Sequence, residues 1–198
     1  MPKVYSYSMA RDFGFAPNPF YGVCTLATCK PKIRAKAEPG DLVIGTGSKA
    51  LKYAGRLIYA MEVSEVLSFD QYWRDPRFAS KKPNLSGSLK KRFGDNIYHS
   101  TRRGWLQLDS HHSLMDGSPN PRNIRVDTGA DRVLLSDNFS YFGRNAPVLP
   151  KGFRNFEGID ICHKRGHKCN FSPTLVAELF DFFCSLEKGY LGEPISWD

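Results

Sequence analysis

The chain has 198 residues, of which 41% are hydrophobic and 13% aromatic, so its length supports one domain with a sizeable core. Its 28 lysines and arginines exceed its 20 acids, and the formal charge of +8 favours polyanionic partners such as nucleic acid or nucleotides. No window approaches ~18 uninterrupted apolar residues, and no secretory signal pattern opens the chain. The sequence therefore predicts a cytoplasmic protein without a membrane partner, and five cysteines, an odd number, favour reduced thiols.

Three segments predict the strands of a small sheet. Residues 4–9 alternate apolar or aromatic residues with serines, residues 42–44 follow the turn Pro39-Gly40-Asp41, and residues 57–66 follow a loop of Gly, Ser and Lys. Apolar residues point to both sides of the strand 57–66, so both of its faces are expected to be covered. Coverage on both faces favours a closed sheet, and the sequence therefore predicts a small β-barrel.

The remaining elements follow in chain order. Residues 69–73 predict a helical turn that Asp75-Pro76 ends, and residues 105–108 and 133–136 predict further strands. Residues 146–150 predict an edge segment flanked by prolines. The clearest helix follows the N-cap Ser172 and the first-turn Pro173, with apolar residues at helical spacing up to residue 186. The predicted class is thus α+β: one domain over residues 1–198, with a barrel at 3–150, peripheral helices and a C-terminal extension whose helix spans 172–188.

An irregular loop is predicted between residues 12 and 34. Its Pro17-Asn18-Pro19 run excludes regular structure, because each proline restricts the residue before it. Long irregular segments inside compact domains are often functional. We therefore expect this loop either to line a binding site or to cap the mouth of the barrel.

Residues 81–103 carry the strongest charge feature of the chain. Seven cations stand against the single acid Asp95, in a segment of low apolar content that predicts a loop or excursion. Such a run is either a solvated surface or a set of phosphate contacts. The predicted phosphate-binding residues are Lys81, Lys82, Lys90, Lys91, Arg92, Arg102 and Arg103.

The loop at residues 45–49 reads Gly-Thr-Gly-Ser-Lys, whose small residues can expose backbone N–H groups to an anion. It does not match the phosphate-binding pattern in which four residues separate a Gly from Gly-Lys-Ser/Thr and a helix follows. The alternative is a turn that needs positive φ.

The cysteines, histidines and acids give weaker signals. Cys162, His163, His167 and Cys169 match no compact zinc spacing, so neither a metal nor another cofactor is predicted. A nucleophilic Cys24 has no identifiable base, and the acids Asp12, Asp95 and Asp127 each lie near a turn. The pair His111-His112 lacks a spaced partner and is interpreted as a surface or turn pair.

Two resemblances add to these patterns. The turn and strands within residues 30–49 and 55–78 resemble the PUA, ASCH and EVE superfamily of pseudo-barrels, which implies binding of RNA or modified bases. More closely, Gly-Phe-Ala-Pro-Asn-Pro-Phe and Cys-Thr-Leu-Ala-Thr-Cys-Lys-Pro within residues 12–33, with residues 94–98 and 141–143, resemble the second of the families called nucleotide modification associated domains. That family name implies an association with phage and bacterial systems that modify DNA bases.

The leading hypothesis is a barrel that recognises a modified base or nucleotide in nucleic acid. Asn18 and Asp95 would read a base edge, and Tyr98 or Phe142 would stack on the base. The predicted ligand-binding set is Asn18, Phe20, Lys30, Gly47, Ser48, Lys49, Asp95, Asn96, Tyr98, Tyr141 and Phe142. One alternative is an enzyme acting on nucleotides or DNA bases through Asp12, Asp95 or Asp127 with Cys24. Another is a module that recruits modification enzymes.

Overall fold

A computed structural model describes residues 2–163 and 166–197. These residues form two compact units, each assembled from separate stretches of the chain. Unit 1 contains residues 2–13, 37–64, 136–163 and 166–197, and unit 2 contains residues 14–36 and 65–135. The expected single domain over residues 1–198 stays a prediction.

The elements of the described residues are as follows. The strands are β1 (Val4–Met9), β2 (Cys24–Leu26), β3 (Leu42–Gly47), β4 (Leu57–Glu62), β5 (Glu65–Leu67), β6 (Tyr98–Thr101), β7 (Gly104–Gln107), β8 (Val133–Ser136), β9 (Asn138–Tyr141), β10 (His167–Lys168) and β11 (Gly189–Tyr190). The α-helices are α1 (Pro31–Arg34), α2 (Phe69–Arg74), α3 (Leu89–Arg92), α4 (Pro121–Asp127), α5 (Lys151–Arg154) and α6 (Pro173–Ser185), and 3-10 turns span Pro76–Lys81 and Gly143–Asn145.

Unit 1 is built on a mixed six-stranded sheet in the order β10-β1-β3-β4-β9-β11. The pair β1 and β3 is parallel, whereas β3 with β4 and β4 with β9 are antiparallel. Leu175, Leu179 and Phe183 of α6 pack with apolar residues of β1, β3 and β4. The Ser172 hydroxyl accepts a hydrogen bond from the Leu175 amide and caps α6, as the sequence predicts. The predicted strand at residues 4–9 is likewise observed.

The predicted barrel is wrong. Among the described residues the six-stranded sheet is open, since β10 and β11 form its two edges. Burial on both faces has another cause: α6 covers one face, while the other buries Tyr7 and Tyr59, whose hydroxyls lie 2.9 Å apart. The predicted strand 57–66 is also two strands, because β4 pairs with β9 in unit 1 and β5 pairs with β8 in unit 2. The α+β class with a C-terminal helix is confirmed.

Unit 2 contains a three-stranded sheet in the order β2-β8-β5 and the separate hairpin β6-β7. Helix α2 begins after Ser68, which forms a capping box with Gln71, and ends before Asp75-Pro76 as predicted. The irregular loop predicted for residues 12–34 is found only in part: residues 12–23 contain no named helix or strand, whereas β2 and α1 lie in the second half. The Ala16–Pro17 peptide bond is cis. Polar residues are buried here as well as apolar ones, including Arg34, Asp95 and Asp127.

No helix in the described part of the chain has the length and apolar composition needed to cross a membrane. The longest, α6, has 13 residues, whereas a span takes about 20. The predicted cytoplasmic location stays a prediction.

Replacing Gly45 by Ala should destabilise unit 1, because a Cβ at this position would lie 2.2 Å from the Tyr59 ring and 2.8 Å from the Met9 sulfur. Overpacking of this kind typically costs about 1–3 kcal/mol. Urea unfolding of the variant should show a midpoint lower than that of the native chain. Gly152→Ala is the matched control, since a Cβ there meets no atom within 4 Å. An equal loss of stability in both variants would contradict this packing argument.

Candidate active site

Three side chains far apart in sequence meet in unit 2 as a thiol, an imidazole and a carboxylate. The sulfur of Cys29 lies 3.6 Å from Nε2 of His112, and Nδ1 of the same ring lies 2.7 Å from Oδ2 of Asp127. Cys29 is a partly exposed residue, whereas the side chains of His112 and Asp127 are 15% and 2% exposed. We call this group the Cys29 centre. Its order, nucleophile to base to buried carboxylate, is the arrangement that activates nucleophiles in many enzymes.

Asp127 ends α4 and accepts hydrogen bonds through both of its oxygens. Oδ1 accepts the backbone N–H of Cys29 at 2.8 Å, and Oδ2 accepts the hydroxyl of Tyr98 at 2.9 Å. The Tyr98 oxygen in turn accepts from Nε2 of Gln107 at 3.0 Å. A buried carboxylate with several donors is held in place and kept satisfied. The orientation of His112 is therefore set by a group that is itself fixed.

Arg34 donates hydrogen bonds to backbone carbonyls in two segments, the one that contains Cys29 and the one that begins at Asp127. Its guanidinium is fully buried and donates to the carbonyl oxygens of Cys29, Asp127, Ala130 and Arg132. Burial lowers the pKa of Arg34 to about 10, and the charges of Asp127 and Cys29 act in the opposite direction. The rigid fork of five N–H donors explains why an arginine fills this position. Arg34 thus links α1 to the segment that follows α4.

The backbone at the thiol is strained. Cys29 has φ of 57° and Lys30 has φ of 42°, both in the left-handed region that residues with a Cβ rarely adopt. Lys30 is the N-cap of α1, and Pro31 opens the helix. Strained residues tend to cluster at active sites, where surrounding hydrogen bonds hold them. Here the Cys29 amide and carbonyl are held by Asp127 and Arg34, respectively.

The electrostatics favour a charged imidazole beside the thiol. Burial disfavours the imidazolium form of His112, but the hydrogen bonds with Asp127 and Cys29 and their negative charges raise its pKa to about 9. Burial lowers the pKa of Lys30, an effect that the charge of Cys29 opposes. Positive charge next to a cysteine stabilises the thiolate, which is the nucleophilic form. In its neutral form, His112 has Nε2 placed to accept the thiol proton while Nδ1–H donates to Asp127.

The predicted ligand-binding residues of unit 2 are mostly buried and hydrogen-bonded within it. The side-chain oxygen of Asn18 accepts a hydrogen bond from the Lys81 ammonium at 2.6 Å. The carboxylate of Asp95 accepts hydrogen bonds from the hydroxyls of Thr25 and Tyr72 at 2.6 and 2.8 Å. Asn96 donates to backbone carbonyls, Phe20 is 2% exposed, and Lys30 is partly exposed. Asn18 and Asp95 thus share a buried polar cluster that includes Lys81. Tyr98 instead donates a hydrogen bond to Asp127 of the Cys29 centre.

The predicted ligand-binding residues of unit 1 lie in two places. Gly47 ends β3, the Ser48 hydroxyl accepts from the Leu51 amide at 3.2 Å, and Lys49 is exposed. Tyr141 is buried, donates its hydroxyl to Asp12 and stacks on Tyr190 with ring centroids 5.8 Å apart, while Phe142 packs against the core below α6. The ligand-binding roles of both sets stay predictions.

The predicted phosphate-binding residues divide by exposure. Lys81 is 1% exposed, and burial lowers its pKa to about 8 despite the charges of Asp95 and Cys24. Lys82 is partly exposed, with its ammonium 3.8 Å from the centroid of the Trp73 ring. The other five cations, Lys90, Lys91, Arg92, Arg102 and Arg103, are exposed to solvent. Five of the seven therefore present their charge at the surface of unit 2.

Two enzyme candidates named from the sequence, Cys24 and Asp12, lie outside the Cys29 centre. Cys24 is fully buried, and burial raises its pKa to about 12, so it is a neutral thiol at physiological pH. The carboxylate of Asp12 accepts from the Tyr141 hydroxyl and from the backbone N–H of Ile195 within unit 1. No group of three or more His, Cys, Asp or Glu residues that could hold a metal ion is found among residues 2–163 and 166–197.

Sequence reasoning named Asp127 as a candidate acid and Tyr98 as a candidate stacking residue, but it did not assign either to this centre. It also missed Cys29, His112 and Arg34 as members or neighbours of the centre. Cys29 and His112 are 83 positions apart, so no local spacing links them. Nucleophile and base are generally adjacent in the fold and not in the sequence. Two local patterns could have pointed to the nucleophile and its base: a Cys-Lys-Pro sequence that opens a short helix, and a Ser-His-His-Ser turn.

The stability of the protein should fall as pH rises through the raised pKa of His112. A group whose pKa rises from about 6.5 to about 9 on folding contributes stability that is fully present below pH 6.5 and lost above pH 9. The expected loss is on the order of 3 kcal/mol. Burial lowers the pKa of Lys81 to about 8, and this group acts in the opposite direction above pH 8. The drop is therefore measured between pH 6 and 10 as a difference in urea-unfolding free energy: native minus His112→Gln should fall, whereas native minus His163→Gln should stay level. Parallel profiles for all three proteins would contradict the assignment.

The comparisons with known proteins give one match. The family model described as nucleotide modification associated domain 2 matches residues 1–198, the whole chain. No curated protein and no solved structure matches the chain. The match confirms the closer of the two resemblances in the sequence. With every residue covered by that model, the chain belongs to the nucleotide modification associated domain 2 family, whose name associates it with nucleotide modification.

Proposed function

We propose that the protein is a cysteine-dependent enzyme that acts on a nucleotide or a nucleic-acid base, with Cys29 as nucleophile and His112 as its base. The observation that carries this proposal is the hydrogen-bonded series Cys29, His112 and Asp127, with separations of 3.6 and 2.7 Å. Membership of a family associated with nucleotide modification supports this substrate class. The chain's formal charge of +8 suits such anionic substrates.

The three side chains have distinct roles in this proposal. His112 takes the proton of the Cys29 thiol through Nε2, which leaves a thiolate beside an imidazolium. Asp127 holds the ring in the required tautomer through Nδ1 and stabilises the imidazolium. Asp127 acts through His112 and is therefore a positioning residue. Arg34 positions the nucleophile through the Cys29 carbonyl, to which its Nε donates at 2.8 Å.

The hydrogen bond of the Cys29 amide bears on the choice of reaction class. In many acyl-transfer enzymes backbone N–H groups beside the nucleophile stabilise an oxyanion. Here the amide of Cys29 already donates to Asp127 at 2.8 Å, and Pro31 has no N–H. We therefore favour addition of the thiol to the electron-poor C6 of a pyrimidine.

The S–C6 bond forms as the C5–C6 π bond breaks, and the electron pair of that π bond moves onto C5 and the C4 carbonyl or imine. The proton from the thiol, carried by His112, is then delivered to C5.

A second candidate is recognition of a modified base in nucleic acid without turnover. The observation that favours it is the set of exposed cations on unit 2, three of which, Lys90, Lys91 and Arg92, lie consecutively in α3. Such cations bind phosphates without regard to sequence, and this binding weakens steeply with salt. Binding that persists in Cys29→Ser, together with the absence of any reaction at Cys29, would favour this candidate over the enzyme.

Selective alkylation tests the nucleophile. At pH 7 iodoacetamide should modify Cys29 at least about tenfold faster than Cys184, although Cys184 is the more exposed thiol. The reason is that Nε2 of His112 lies 3.6 Å from the sulfur of Cys29 and can accept its proton, whereas the charged group near Cys184 is the ammonium of Lys188, which is not a base while protonated. Peptide mass spectrometry gives both rates in one sample, so Cys184 is an internal control. His112→Gln should remove the difference, and equal rates in the native chain would contradict the proposal.

Hydrogen exchange tests the reaction class without any co-substrate. Addition of the thiol across C5–C6 in D2O, followed by elimination, replaces the C5 hydrogen by deuterium. The native protein should catalyse this exchange on 2′-deoxycytidine or 2′-deoxyuridine 5′-monophosphate, or on the same bases in single-stranded DNA. Cys29→Ser should lower the rate by about a hundredfold or more. NMR spectroscopy of the H5 signal measures the exchange. A native rate no higher than that of Cys29→Ser would contradict ring addition.

A further inference from the structure

Unit 2 contains a cavity of about 300 Å3 on the far side of His111 from the Cys29 centre. The residues of its lining that matter here are Leu85, Arg92, Phe93, Asp109, His111 and Met115. The proposed chemistry of Cys29 does not use any of them.

The cavity is linked to the Cys29 centre by a series of ring contacts. The centroid of the His111 ring lies 5.3 Å from that of Phe93 in the cavity wall and 5.3 Å from that of Phe15. The Phe15 ring in turn lies 4.7 Å from His112, and the two imidazole rings are stacked 6.1 Å apart. A ligand in the cavity therefore lies next to the residue that neighbours the proposed base.

The size and lining of the cavity suit one small, partly aromatic anion. Its volume is at the lower end of the range for small-molecule sites, about 300–1,000 Å3. Phe93 and His111 offer ring faces or edges for a base, and base stacking on such rings is worth about 1–3 kcal/mol. Leu85 and Met115 are 42% and 108% exposed, so they leave apolar surface open at the rim. Exposed apolar surface beside a concavity is typical of a ligand site.

The charges of the lining are complementary to a nucleotide. Arg92 is exposed at the end of α3, and its guanidinium can bind a phosphate through two N–H groups. Lys90 and Lys91 precede it, and α3 carries no acid in its first turn. Asp109 is an exposed carboxylate that packs over Gly117, where an added Cβ would lie 2.7 Å from Oδ2. A carboxylate accepts from the N–H groups on the edge of a base.

We propose that this cavity binds one nucleotide unit, with its base against Phe93 and His111, its phosphate at Arg92 and a base N–H donated to Asp109. This inference rests on the proposed function and deepens it, because it assigns a nucleotide subsite next to the Cys29 centre. The same chemistry is offered by a free nucleoside monophosphate and by one unit of a single strand. Because Cys29 does not line the cavity, the bound unit is not the one that reacts: it is a separate nucleotide or a neighbouring unit of the same strand.

Calorimetric titration of the full chain tests the pocket. The probes are 2′-deoxycytidine 5′-monophosphate, a short single-stranded oligodeoxycytidine and inorganic phosphate. Arg92→Ala should weaken nucleotide binding about tenfold or more, the loss of one charge-assisted contact. Arg103→Ala, which removes an exposed cation that is not part of the lining, should change the affinity less than about twofold. Binding of the mononucleotide identifies a free nucleotide as ligand, and binding of the oligonucleotide alone identifies a strand; both outcomes support the pocket.

Three outcomes would overturn it: no binding of either nucleotide probe, equal weakening by Arg92→Ala and Arg103→Ala, or inorganic phosphate binding as tightly as the nucleotides. The titrations are repeated with Cys29→Ser, whose binding should match that of the native chain because Cys29 does not line the cavity. Binding without selective alkylation of Cys29 would refute the proposed function alone. Selective alkylation without nucleotide binding would refute the pocket alone.

Discussion

The buried carboxylate of Asp127 is the interaction on which the candidate active site depends. It receives the amide of Cys29, the imidazole of His112 and the hydroxyl of Tyr98, so three segments distant in sequence converge on one side chain. A carboxylate removed from water is costly unless donors surround it. The requirement to satisfy Asp127 therefore fixes the relative positions of nucleophile and base. Arg34 completes the arrangement from the other side, since its guanidinium ties the carbonyls of Cys29 and Asp127 together.

Unit 2 contains a second buried carboxylate, and the comparison shows why only one of them belongs to the candidate active site. Asp95 accepts from the hydroxyls of Thr25 and Tyr72, and burial raises its pKa. All three side chains are fully buried, as is the neighbouring Cys24. That cluster satisfies polar groups within the unit and has no exposed nucleophile. At Asp127, by contrast, the series of hydrogen bonds ends at a partly exposed thiol.

Unit 1 illustrates how a correct local pattern led to a wrong architecture. The alternation of Val4–Met9 correctly indicated a strand, and the apolar run that begins at Leu57 correctly indicated coverage on both faces over Leu57–Glu62. An open sheet with a helix on one face and buried tyrosines on the other produces the same pattern as a barrel. Periodicity reports whether a face is buried, not what buries it. Closure depends on which strands pair at the edges, and two-residue strands such as β10 leave almost no sequence signal.

The sequence by itself determined the features that arise from neighbouring residues. The N-cap and first-turn proline of α6, the strand Val4–Met9, the proline-rich irregular segment and the family membership are all legible in short stretches. Only the tertiary structure decided that Cys29 and not Cys24 faces a histidine, and that Lys81 is buried while Arg92 is exposed. The physical reason is that the local sequence specifies backbone conformation and the pattern of burial. The proximity of a thiol to an imidazole 83 residues away is set by packing around Asp127 and Arg34.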